Sequence, residues 1–252
     1  MAPAVTRALE IDPNLGEAYL SLASMKEAYE WDWAAAEAAY KRAISLSPNY
    51  ATAHQWYALY LQWMGRFDEA IEQNRQALKL DPLSTVINTN AAQIRRTAKR
   101  YEEAGQLLRK SLEMFPDNPG AHFEMANLYF DQGKCAEFWK ETAKANELDE
   151  YQQIADAIQQ GLAQGGCRGA NQRNLEALLA LRKTEFVSST EIARQYARRG
   201  DPDHAMEWLE RGYDVRDSGL ESMNVDPFWD AFRANPRFKD LVRRMNFPQK
   251  RE

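Results

Sequence analysis

The side chains that could do acid–base or ligand chemistry are few: three histidines and two cysteines in 252 residues. His54 and His122 stand 68 residues apart and His204 adjoins a Gly-Asp-Pro turn, so no spacing brings them together as metal ligands or as a base beside a nucleophile. HExxH and GxSxG are absent, and the acidic residues are spread as solvated helix faces. Cys135 and Cys167 are too few for a disulfide framework and match no zinc spacing. Each falls near the turn inside a helix pair, on one edge of the array, and in a cytosolic chain they read as two free thiols. The glycine-rich run GLAQGGCRGANQ (161–172) lacks the lysine and the Ser/Thr of a phosphate cradle and does not follow a strand, so it reads as a flexible loop between helices. The residues therefore predict no catalytic site, no metal and no cofactor.

Charge narrows the partners further. The formal net charge of −5 repels nucleic acid, and the basic runs Arg95, Arg96, Lys99, Arg100 and Arg243, Arg244 read as solvated helix faces rather than a phosphate track. No apolar stretch approaches the roughly 18 residues of a membrane helix, and the N-terminus lacks a signal-peptide pattern. The expected compartment is the cytoplasm, or the periplasm if a transmembrane helix precedes this chain in a parent protein.

The elements that would position any binding surface follow from Ala51–Pro82, ATAHQWYALYLQWMGRFDEAIEQNRQALKLDP. Tyr57, Ala58, Leu61 and Met64 form the inner stripe of one helix, and Phe67, Ala70, Ile71, Asn74, Ala77 and Leu78 that of a second. A turn at Gly65-Arg66 separates them, and Pro82 stops the second helix. The window recurs: Pro48, Pro82 and Pro116 follow at 34 residues, with Pro13 at 35 from Pro48. Ala23, Ala58, Ala92, Ala126 and Ala193 share one column, Ala36, Ala70, Ala104 and Ala205 a second, and Ala43, Ala77, Ser111, Ala145 and Gly212 a third. Trp33, Phe67 and Tyr101 share a bulky one. A period of about 34 residues with this pattern resembles the tetratricopeptide repeat over nearly the whole chain. The resemblance implies an all-α fold, a right-handed superhelix of stacked helix pairs with a C-terminal helical cap.

The repeat register divides the chain. Residues 1–15 read as the end of a second helix without its partner, as in a piece of a longer protein; residues 16–150 carry repeats one to four. Residues 151–185 form a degenerate fifth repeat, 186–216 a sixth, and 217–248 capping helices that cover the last repeat's exposed face. Trp31-Asp32-Trp33 adds one residue to the first turn. Four glycines between Gly161 and Gly169, after the bulky Phe138, predict loose packing and a hinge in repeat five.

In such a stack the first helices line the concave side. Gln55, Trp56, Gln62, Trp63, Asn90, Gln93, Arg96, Phe123, Asn127 and Phe130 are the residues there expected to meet a ligand. Amides hydrogen-bond a peptide backbone of any sequence, and aromatic faces anchor it. The lysine and asparagine pairs with which some tetratricopeptide domains clamp a C-terminal carboxylate are missing, since the comparable places hold Gln55, Leu59, Thr89 and Gln93. The runs GGCRG, FVSSTEIARQYARRGDPDHAMEWLERGYDVRDSGL and VDPFWDAFRANPRFKDLVRRM are similar to the end of repeat domains attached to winged-helix, cyclase or kinase output domains in bacterial signalling proteins, and that resemblance implies an interaction or sensing module. The function read here is non-catalytic protein or peptide binding; the alternative is self-association as a homodimer through the incomplete N-terminal repeat.

Overall fold

Alanine sets where the helices meet. Every alanine in the first two predicted columns is buried, and small residues at a crossing let two helix axes approach closely. In the computed structural model, which describes residues 2–248, helix α1 (Ala2–Ile11) packs on α2 (Gly16–Met25). Antiparallel pairs then follow: α2 with α3 (Trp33–Leu46), α4 (Ala51–Trp63) with α5 (Phe67–Leu80), α6 (Thr85–Thr97) with α7 (Tyr101–Met114), and α8 (Pro119–Asp131) with α9 (Cys135–Leu148). After α10 (Gln152–Leu181), α11 (Ser189–Arg198) pairs with α12 (Pro202–Asp214). The pairs stack into a right-handed superhelix with no strand among the described residues.

Local chemistry places the helix ends. Gly65, Gly133 and Gly200 turn the chain with φ between 72 and 74°, and Lys99 takes the same left-handed conformation in repeat three. Asp201, Asp226 and Asn235 cap the helical turns that begin at Pro202, Pro227 and Pro236, each side chain accepting from a backbone N–H at the helix start. The additional residue of the first repeat is absorbed as a π-helical turn, Lys26–Glu30, that ends at Trp31 with φ 50°.

Repeat five corrects the expectation of loose packing. Helix α10 folds back on itself at Gly165-Gly166, where Gly166 has φ 58° and ψ −148°. Its two arms cross at Gly161 and Gly169, so closely that a Cβ on Gly161 would lie 2.4 Å from the Gly169 carbonyl oxygen. Glycine here allows contact rather than flexibility. The two cysteines are likewise not free thiols: Cys135 at the start of α9 and Cys167 beside the fold of α10 form a disulfide that ties the two elements together.

The C-terminal segment does more than cover the last repeat. After the 3-10 turns Ser218–Leu220 and Pro227–Phe232 and the helix α13 (Pro236–Arg244), the chain reaches the first repeat. The Trp33 indole donates to the Met245 carbonyl at 2.9 Å and stacks on Phe247 with ring centroids 4.6 Å apart. Trp31 lies 4.7 Å from Tyr213, and the Arg216 guanidinium sits 3.6 Å above the Trp31 ring. The Trp-Asp-Trp turn is thus where the beginning and the end of the superhelix touch, and Trp31, Trp33, Met245 and Phe247 all belong to one hydrophobic core.

Candidate binding groove

Closure by the C-terminal segment divides the predicted concave stripe. A cavity of about 410 Å³ remains, lined by α4, α6 and α8 on one side and by residues of α9, α10 and α11 on the other, with Gly219, Ser222 and Asp226 across it. Gln62, Gln93, Arg96, Phe123 and Asn127 all line it. Phe123 is the exposed aromatic residue among them, and Gln93 and Asn127 are half-buried. Gln62 is buried, its amide donating to Thr97 Oγ1 at 2.8 Å while its oxygen accepts from nothing.

The other five residues are placed elsewhere. Gln55 and Asn90 are buried in the stack, and Trp56 and Trp63 are half-buried against the core. Phe130 packs between Phe138 and Phe228, at 5.5 and 5.1 Å, and lines a different cavity. The stripe free for a ligand is therefore narrower than the periodicity predicts, because side chains of the C-terminal segment occupy part of it.

Arg96 shows the physical reason. Rather than lying on a solvated face, it is buried and donates to Glu124 Oε2 at 3.1 Å, Asp131 Oδ2 at 2.9 Å and Asp226 Oδ1 at 3.3 Å, the last 130 residues away. Arg194 of α11 also donates to Asp226. Burial alone would push the Asp226 carboxyl up, but Arg194 and Arg96 outweigh it and hold the group well below the usual carboxylate range. For Arg96 burial opposes the charge, and the Asp226, Glu124 and Asp131 carboxylates reverse that and raise its pKa. Asp131, for which burial is the largest effect, is raised. A charge cluster so nearly neutralised clips the C-terminal segment across the concave face; Lys99 and Asp230, 2.7 Å apart, add a second and more exposed contact.

The remaining polar residues that could have done chemistry have structural partners. His54 contacts Gln73 Oε1 at 2.7 Å and the Pro48 carbonyl at 3.0 Å; His122 contacts Glu141 Oε2 at 2.6 Å and the Pro116 carbonyl at 2.9 Å. Each ring ties the two helices of its own repeat and the preceding loop, two repeats apart. His204 lies 2.8 Å from the capping Asp201. Arg95, Arg100, Arg243 and Arg244 are within ion-pair distance of Glu103, Asp68 and, for the last two, Asp240. Among the described residues no group of three or more His, Cys, Asp or Glu is arranged to hold a metal ion, and no helix is long and apolar enough to cross a membrane.

Sequence reasoning missed Asp226, Arg194 and the closure they make. The only local signal was Asp-Pro, which marks a helix start.

Comparison with known proteins agrees with the repeat reading. Two tetratricopeptide-repeat family models match, at residues 27–85 and 96–138. The chain is 26% identical over 192 residues to the type IV pilus assembly protein PilF of Pseudomonas aeruginosa, covering 75% of this chain and 68% of that protein. It is 32% identical over 87 residues to the small glutamine-rich tetratricopeptide repeat-containing protein 2 of Mycosarcoma maydis, a match that spans 34% of this chain but only 25% of that relative's length. The crystal structure of PilW, a type IV pilus biogenesis factor, superposes with a TM-score of 0.57 at 22% identity, over 73% of this chain and 84% of PilW. With its alanine columns buried between stacked helix pairs and two stretches matched by repeat models, this chain is an all-α superhelix of tetratricopeptide repeats.

Proposed function

We propose that the chain is a non-catalytic protein-binding scaffold that receives a peptide segment of a partner at the open mouth of its concave groove, with Phe123 as anchor and Gln93 and Asn127 as backbone-binding amides. The observation that carries this reading is the cavity of about 410 Å³ in which an exposed phenylalanine stands beside amide side chains. The Cys135–Cys167 disulfide supports an oxidising compartment as the place of work, in preference to the cytoplasm. The resemblance read in the C-terminal sequence to repeat domains of bacterial signalling proteins is what supports a sensing or interaction module of a larger regulator. A second reading, a scaffold in the assembly of a surface structure, is favoured by the similarity to PilF over 192 residues.

The test is capture of a partner from the source cell by the wild-type chain and by Phe123→Ala and Asn127→Ala. Both variants should weaken capture of the same protein on the order of tenfold, while Leu83→Ala, exposed and outside the cavity, should not. A partner held equally by all four chains contradicts the groove assignment.

A further inference from the structure

Among the described residues the Arg96 and Arg198 side chains are almost completely buried, and only Arg96 is hydrogen-bonded to carboxylates. Arg96 donates hydrogen bonds to three carboxylates. The Arg198 side chain is 8% exposed, yet its Nε and Nη1 have no hydrogen-bond partner, and the Glu191 carboxylate stands off at 3.9 Å. Its guanidinium lies instead among aromatic rings, 4.6 Å from the centroid of Phe138, 5.0 Å from Phe228 and 5.2 Å from Phe130. Ring faces attract a cation but accept no N–H as a carboxylate does, and a buried donor left unmade is costly.

This arginine opens onto a second cavity, of about 1120 Å³, that shares no lining residue with the groove. Phe130, Phe138 and Trp139 form an apolar wall, the Cys135–Cys167 disulfide lies at its edge, and Arg168 and Arg199 join Arg198. No aspartate or glutamate lines it. Burial draws the Arg198 pKa down to about 10, so at neutral pH the guanidinium is still charged.

We propose that this cavity binds a small organic acid, its carboxylate received by the Arg198 guanidinium that lines it and its aromatic or aliphatic body lying on Phe130, Phe138 and Trp139. A carboxylate matches the arginine fork in geometry and supplies the hydrogen-bonded negative partner that Arg96 has three times over and that Arg198, with Glu191 no nearer than 3.9 Å, lacks. A dianion such as phosphate would bring a second charge into apolar surroundings and leave the rings without an occupant. The site is independent of the partner bound in the groove.

Titration calorimetry of the full oxidised chain with 2-naphthoate, the neutral 2-naphthamide and inorganic phosphate tests the assignment. Naphthoate should bind on the order of tenfold or more tightly than naphthamide, and phosphate should not displace it. Arg198→Met keeps the volume and removes the donors, so it should erase the preference for the acid over the amide. Arg168→Gln with Arg199→Gln, both exposed and outside the core, should weaken naphthoate severalfold and naphthamide hardly at all, which keeps the test open if Arg198→Met does not fold. Equal affinity for acid and amide, no binding of either, displacement by phosphate, or a preference that survives in Arg198→Met would each overturn the proposal.

Discussion

Replacing Glu221 by glutamine should make the fold less sensitive to alkali. Glu221 follows the first 3-10 turn of the C-terminal segment, is 7% exposed, and stands close enough to repeat one to raise the pKa of Glu27. Burial, with the Asp217 carboxylate adding to it, lifts its pKa from 4.5 to about 8. Glu27 is itself buried and raised, chiefly by burial; one of its oxygens accepts from the Tyr40 hydroxyl at 2.8 Å and the other from nothing. Between about pH 4.5 and pH 8 the folded chain keeps a proton at Glu221 that the unfolded chain releases, so stability is lost as pH rises through that window. The rise from 4.5 to about 8, at 1.36 kcal/mol per unit, sets a ceiling of about 5 kcal/mol. Relaxation and water entry around the charge reduce this to a few kcal/mol. Urea denaturation followed by tryptophan fluorescence at pH 5, 6, 7 and 8 reads the effect. Glu221→Gln should match the wild type to within about 1 kcal/mol at pH 5 and exceed it by a few kcal/mol at pH 8. Glu27 keeps the burial part of its contribution in both chains and loses in Glu221→Gln only the part that the Glu221 charge adds. Parallel stability curves would refute the buried-proton reasoning.

Three other substitutions follow from the packing. Gly161→Ala should destabilise the chain by about 1–3 kcal/mol or more in denaturant, because its methyl meets the Gly169 backbone, whereas Gly165→Ala, with nothing within 4 Å, should cost far less. Opening the Cys135–Cys167 disulfide, which spans 32 residues of sequence, should cost roughly 3–4 kcal/mol on the loop-entropy estimate, read as a lower melting temperature in dithiothreitol or in the double serine variant. Asp226→Ala leaves Arg194 without its carboxylate and should cost about 3–5 kcal/mol, while Asp230→Ala breaks only the exposed pair with Lys99 and should cost under about 1 kcal/mol; hydrogen exchange of residues 218–247 would locate the loss.

The alanine columns were legible because period alone fixes them: Ala58, Ala92 and Ala126 fall at one place in successive repeats and are buried together. The caps at Asp201, Asp226 and Asn235 were legible from the proline that follows each. What period cannot carry is contact across the superhelix. Trp33 with Met245, and Arg96 with Asp226, join residues 212 and 130 positions apart, and nothing local to either partner marks the other. Gly161 and Gly169 misled for a different reason, since glycine permits both a flexible backbone and an unusually close one, and only the facing chain decides between them. Phe130 was legible as an inner residue, yet its neighbour turned out to be Phe228 of the same chain rather than a ligand.

The reading of the groove is tested most directly by site-specific photo-crosslinking in the source cell. A photoreactive phenylalanine analogue placed at 93, 123, 127 and 151, around the mouth of the cavity, is compared with the same analogue at 83 and 114, exposed and outside it. The proposed scaffold predicts one protein partner crosslinked from the mouth positions, strongest from 123, and not from 83 or 114. Crosslinks to that partner from 83 or 114 alone would contradict it.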